Sequence, residues 1–173
     1  MAKRTKLTRP RDAVDRIGEQ WAQERPDLDV GPMMVIGRLH RLAEILDQRL
    51  RPVFAEAGLG NGEFDILASL RRAGAPYELT PTQLAATSMV TSGAVTKRVD
   101  RLERQGFVSR SVAEGDARGR VIALTGKGKR TQEALHPKHL ANEDRLLRAL
   151  DTEEREQLAL LLSKLLVDLD GEF

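Results

Sequence analysis

The stretch TPTQLAATSMVTSGAVTKRVDRLERQGFVSR, Thr80 to Arg110, decides the fold. Thr80 is placed to cap a helix whose first position, Pro81, loses nothing by lacking an N–H. Gln83 completes a capping box, and Leu79 with Leu84 has the spacing of a hydrophobic staple. This helix is expected to be short, Pro81 to Thr87. Thr91 is then placed to cap a second helix, with Val90 and Val95 again at staple spacing. Two helices joined by a tight turn are a helix-turn-helix. The short linker holds them at a steep angle, so the second protrudes and fits a major groove.

At about 100° per residue, Val95, Val99 and Leu102 fall on one side of the second helix, which is therefore its buried side. Gly93, Lys97, Asp100, Arg101 and Arg104 lie opposite, and Ser92 and Thr96 flank the leading end. Hydroxyl-bearing, small and cationic residues at that end match what base edges and phosphates require. The expected DNA-binding set on this helix is Thr91, Ser92, Gly93, Thr96, Lys97, Arg101 and Arg104. Arg98 falls off this arc, about 70° from the buried centre. It is expected to point into a crevice, where a guanidinium offers a bidentate fork to a planar anion.

After Gly106 the pattern changes. FVSRSV and RVIALT are short β-rich runs separated by the polar loop AEGDARG, which predicts one β-hairpin, the only strand pair expected. Its loop carries Asp116, Arg118 and Arg120. An Arg at such a tip reaches into a minor groove, where the potential is most negative. Asp116 is placed to support Arg118 through a charge-assisted hydrogen bond. Helices followed by this hairpin define the expected fold class: mainly α with a small β-hairpin wing, a winged helix-turn-helix flanked by N- and C-terminal dimerisation helices.

Outside this lobe, MAKRTKLTRPRD is basic and lacks apolar periodicity, so residues 1–11 read as an arm that either frays or touches phosphates. Val14, Ile17 and Trp21 recur at helical spacing. ERPDLDVGP interrupts, and Pro32 begins a longer helix with an apolar stripe at Val35, Ile36, Leu39, Leu42, Ala43, Leu46 and Leu50. Pro52 is expected to kink or restart it, AGLGNGE to turn, and Phe64, Ile66, Leu67 and Leu70 to belong to the next helix. Past Thr125 two more helices are expected, the second opening with a capping box from Asp151 to Glu154. Its Leu158, Leu161, Leu162, Leu165, Leu166 and Leu169 exceed what one small domain needs, which points to a second chain. The expected organisation is 1–11 arm, 12–60 helices for dimerisation and a ligand crevice, 61–125 DNA-binding lobe, and 126–173 C-terminal dimerisation helices.

Composition narrows the classes. The chain has 173 residues, 31% of them charged and only 3% aromatic, so its core is mostly aliphatic. A net charge of +2 makes the placement of charge, not its sum, the informative quantity. With no cysteine, disulfides, thiolate metal sites and thiol redox chemistry are excluded. No apolar run reaches membrane-span length and no signal segment opens the chain, so a cytoplasmic location is expected. His136 and His139 stand one turn apart, but nothing nearby completes a metal set, and they read as helix-surface residues. TGKGK lacks the spacing of a phosphate-binding loop. No nucleophile, base and cofactor combination supports an enzyme; neither cofactor nor metal is expected.

LTPTQLA, TSGAVTKRVDRLERQGFV, EGDARGR and VIALTGKGK, in that order, resemble the multiple-antibiotic-resistance regulator (MarR) family over roughly Asp12 to Leu169. The resemblance implies an obligate homodimer whose terminal helices interlock and whose two lobes read a palindromic operator on double-stranded DNA. It also implies control by a small, often aromatic or anionic effector. One departure is DARGR, where the family often shows consecutive arginines after the Asp. A finer likeness is to the urate-responsive branch, which carries a Trp on an additional N-terminal helix, an Asp before the reading head, an Arg in the recognition helix and an Arg on the first wing strand. Trp21, Asp65, Arg98 and Arg110 occupy the matching places, which implies a ligand-binding set for urate or a related purine. A phenolic or lipophilic effector is the alternative within the family. A winged-helix protein-interaction module without DNA binding is the alternative from another class.

Overall fold

The computed structural model describes residues 11–88, 92–113 and 116–170, and all of their side chains except those of 92–94, 113, 116–119 and 170. It divides into two compact units, Met1–Arg49 and Leu50–Phe173.

The first unit pairs α1 (Ala13–Glu24) with α2 (Gly31–Leu50), whose last residue opens the second unit. Asp12 caps α1: its Oδ1 accepts from the N–H groups of Val14 at 2.8 Å and Asp15 at 3.0 Å. Asp15 returns the bond to the Asp12 N–H at 2.9 Å, so two donors that the helix start leaves orphaned are satisfied. Arg38 of α2 then bridges both carboxylates, reaching Asp12 Oδ2 at 2.9 Å and Asp15 Oδ1 at 2.8 Å. Val14 is buried beside Gly37, and Met34 covers Gly18. Of the expected stripe on α2, Val35, Ile36, Leu42 and Leu46 are exposed, whereas Leu50 packs against the core of the second unit.

In the second unit, Pro52 restarts the chain as the short α3 (Pro52–Ala55), and α4 (Asn61–Arg72) follows the glycine-rich turn. Next come β1 (Glu78–Leu79), α5 (Pro81–Thr87), α6 (Ser92–Arg104), β2 (Val108–Ala113), β3 (Asp116–Leu124), α7 (Gly126–Leu146) and α8 (Thr152–Asp170). The core gathers Phe54, Phe64, Ile66, Leu67 and Leu70 from α3 and α4 with Leu84 of α5, Val95, Val99 and Leu102 of α6, and Ile122 of β3. Leu135 of α7 closes it.

Two expectations about the sheet are corrected. The sheet has three strands in the order β1-β3-β2, because Glu78 and Leu79 pair with Ala123 and Ile122 of β3. Two residues of strand are too few for any alternation to announce them. The second correction concerns the wing. Asp116, Arg118 and Arg120 belong to β3 and not to a loop; Ala113 already pairs with Asp116. The register shifts between Val112 and Ala113, which pair with Arg120 and Asp116, so the ladder passes over residues 117–119 of β3 as at a bulge.

Helix α7 begins at the TGKGK motif. Thr125 caps it by accepting from the Gly128 N–H at 3.0 Å. A Cβ on Gly128 would fall 2.0 Å from the Phe107 carbonyl oxygen, so only glycine permits this approach. The motif's lysines are used internally: Lys127 Nζ donates to the Gln105 carbonyl at 2.8 Å, and Lys129 Nζ to the Tyr77 hydroxyl at 3.2 Å.

Candidate nucleic-acid interface

Helix α5 supports the interface and is built as its sequence dictates. The Thr80 N–H donates to Gln83 Oε1 at 2.9 Å, and the Gln83 N–H to Thr80 Oγ1 at 3.2 Å. Leu84 is fully buried and ties α5 to the core. Helix α6 is anchored behind by Val95 at 4% exposure and by Val99 and Leu102 at 0%. Each such side chain contributes roughly 1.5–3 kcal/mol relative to leaving it in water. The opposite arc is presented outward: Thr96, Lys97, Asp100, Arg101 and Arg104 are exposed.

These exposed residues differ in what they hold. Arg104 Nε donates to the Asp100 carbonyl one turn back, at 3.3 Å, and its side chain is exposed. Arg101 is more committed. Its Nη2 donates to the Gly58 carbonyl at 3.2 Å, and its Nη1 lies 3.6 Å from the buried carboxylate of Glu63. Ser92 and Gly93 lie in the first turn of α6, whereas Thr91 and its expected cap, with the Val90 staple, lie outside the described residues. On β3, Arg120 is exposed and sits opposite Val112; Asp116 and Arg118 are placed by their backbone.

Of the expected ligand set, Arg98, Asp65 and Arg110 lie in the second unit and Trp21 in the first. Arg98 is half-buried against the first turn of α4, and its Nη1 is buried with no hydrogen-bond partner among the described residues. Asp65 is half-buried on α4, and Trp21 is 46% exposed on α1. Arg110 leaves β2 to bridge Asp100 and Glu103 on α6, each at 2.5 Å. Burial alone would lower its pKa, but the bonds to these two carboxylates outweigh it and the guanidinium is held above its ordinary value. Sequence reading did not find the Arg110 bridge or the Arg101 anchor. Charges spaced one helical turn apart at 100 and 103, facing a strand that begins at 108, are the signal for the first.

His136 and His139 lie on α7. His139 packs against Phe54 and Phe64, with ring centroids 5.1 and 5.3 Å away, and its Nε2 lies 3.2 Å from Glu143. Among the described residues no helix is long and apolar enough to cross a membrane.

The sequence pattern of the MarR family matches residues 57–119, the span from the glycine-rich turn into β3. The transcriptional regulator PecS of Dickeya dadantii is 42% identical over 151 residues, covering 87% of this chain and 91% of that protein. The chain belongs to the MarR family. The transcriptional repressor YetL of Bacillus subtilis is 31% identical over 146 residues, 84% of this chain and 87% of that one. Among solved structures, a mutant MarR from E. coli complexed with operator DNA superposes with a TM-score of 0.70 at 29% identity. The match covers 79% of this chain and 97% of that one. Sco5413, a MarR family regulator from Streptomyces coelicolor, gives 0.71 at 29% identity over 84% and 99% of the two chains. These relatives are transcriptional regulators, and the chain is a regulator of that family, not an enzyme.

Proposed function

We propose that the chain is a homodimeric, DNA-binding repressor, released from a palindromic operator by a small anionic aromatic effector such as urate or another purine. The observation that carries the DNA-binding part is α6, fixed from behind by Val95, Val99 and Leu102 and presenting Thr96, Lys97 and Arg104 outward. Thr91, Ser92, Gly93 and Thr96 are assigned to base edges at its leading end. Lys97, Arg101, Arg104 and, on the wing, Arg118 and Arg120 are assigned to phosphates or the minor groove, with Asp116 supporting Arg118. The operator complex of the E. coli relative supports this use of the lobe.

The dimer reading rests on α8, where Leu160, Leu161, Leu165, Leu166 and Leu169 are all exposed in the single chain. A second copy covers such a face and sets the two reading helices one DNA turn apart, roughly 34 Å. The effector reading rests on Trp21, Asp65, Arg98 and Arg110 standing where the urate-responsive branch carries its ligand residues. The Nη1 of Arg98, buried with no hydrogen-bond partner among the described residues, adds a donor that an oxyanion would satisfy. An effector acts only through its difference in affinity for the free and DNA-bound states, so effector and operator weaken one another by the same factor.

The test is titration of the protein's own upstream DNA at rising salt, with and without urate and xanthine. Phosphate contacts release counterions, so affinity should fall steeply with salt. Binding that hardly changes between low and moderate salt would favour the protein-interaction module. Calorimetry that detects no heat with either purine, alongside unchanged operator affinity, removes the purine effector.

A further inference from the structure

The turn between α3 and α4 is built around two arginines of the reading helix. Arg101 reaches back to its Gly58 carbonyl and to Glu63, as described above. Glu63 is itself held by the turn, because its Oε2 accepts from the Gly60 N–H at 2.9 Å. Arg98, one turn earlier on α6, lies where a side chain on Gly62 would stand. A Cβ built on Gly62 would be 2.4 Å from Arg98 Cζ, 2.5 Å from Nε and 2.8 Å from Nη1. The guanidinium therefore fills a slot that exists only because residue 62 is glycine. Its Nη1 is buried there with no hydrogen-bond partner among the described residues.

We propose that Gly62 is a positioning residue for operator recognition: by leaving room for Arg98 against α4, it fixes the setting of α6 from which the base-contacting residues project. The proposal rests on the DNA-binding reading above. Base readout tolerates little displacement of the reading helix, whereas phosphate attraction tolerates more, because it carries no sequence information. A shifted α6 therefore loses discrimination before it loses general affinity for DNA.

The sign of the expected effect separates this role from ordinary helix chemistry. Gly62 lies in the first turn of α4 without a left-handed backbone, so Gly62→Ala on propensity alone would stabilise the protein. A loss must come from displacing the Arg98 guanidinium, the far end of a flexible side chain, from its place against α4. The test is a double-mutant cycle in the full-length chain with Gly62→Ala, Arg98→Ala and both together. Affinity is measured for the upstream DNA and for an unrelated duplex of equal length, and thermal midpoints are recorded. Gly62→Ala should cut the ratio of the two affinities by about tenfold, the scale of one misread base pair. It should leave affinity for the unrelated duplex in place and lower the midpoint. In the Arg98→Ala background the same change should leave the ratio unaltered and raise the midpoint. An unchanged ratio with Gly62→Ala, or an equal loss in both backgrounds, overturns the proposal. If the wild-type chain does not prefer its upstream DNA, the DNA-binding reading fails instead. The midpoints then still decide whether Gly62 seats Arg98: a fall in the first background and a rise in the second support the slot, and any other pattern rejects it.

Discussion

Helices α6 and α8 both carry a row of aliphatic residues, but only α6 has that row covered by its own chain. Val95, Val99 and Leu102 sit at 0–4% exposure, whereas Leu160, Leu161 and Leu166 of α8 are more than half exposed. Helix α8 is nevertheless well formed: its start is capped reciprocally, with the Asp151 N–H donating to Glu154 Oε2 at 3.0 Å and the Glu154 N–H to Asp151 Oδ1 at 2.9 Å. Tertiary burial, not the quality of the helix, therefore separates α8 from α6. The aliphatic row of the reading helix is buried by its own chain, while that of the terminal helix is exposed in it.

The sharpest way to break that contrast is to charge α8. Leu161→Glu with Leu165→Glu should yield a monomer in sedimentation and reduce operator affinity by about a thousandfold, since linked half-site contacts are lost. A variant that stays dimeric would show that α8 is not the pairing surface. From the other side, Leu102→Ala should destabilise the lobe by about 2–5 kcal/mol in denaturant unfolding, as expected for a fully buried leucine. A smaller, solely electrostatic effect is expected from Lys97→Ala: the slope of log affinity against log salt should flatten by about one phosphate contact. An unchanged slope would place Lys97 off the DNA. Removing the α8 cap with Asp151→Ala should cost about 1 kcal/mol and show as faster amide exchange in its first turn.

The mildest effect is expected in the first unit. The Asp12 carboxyl is held below its ordinary pKa by the Asp15 N–H first, and then by Arg38 and the Val14 N–H, against the opposing effect of burial. A depressed folded-state value means the contribution is present above the ordinary carboxylate range and lost as pH falls through the lowered value. Amide protection of α1 should therefore weaken only in strong acid. Arg38→Ala should move that weakening to higher pH.

Much of this was legible in the sequence because the signals are local. Thr80, Pro81 and Gln83 fix the start of α5 by contacts within four residues, and the spacing of Val95, Val99 and Leu102 fixes the buried side of α6. What was not legible depends on distant partners. Two-residue β1 exists only because β3 offers it a ladder. The DAR segment carries turn-like residues, yet extends because Ala113 is there to pair with Asp116. Arg101 looked like a free surface cation, and its tie to Gly58 spans forty-three positions. The exposure of the α2 stripe likewise follows from what the chain leaves uncovered, which periodicity does not record.

The Arg110 bridge has a mechanical consequence. By clamping Asp100 and Glu103 from the first wing strand, it welds hairpin to helix, so that neither pivots without dragging the other. In the homodimer proposed above, each head would then travel as one jaw, and an effector would act on the gap between the two jaws rather than on the bite of either.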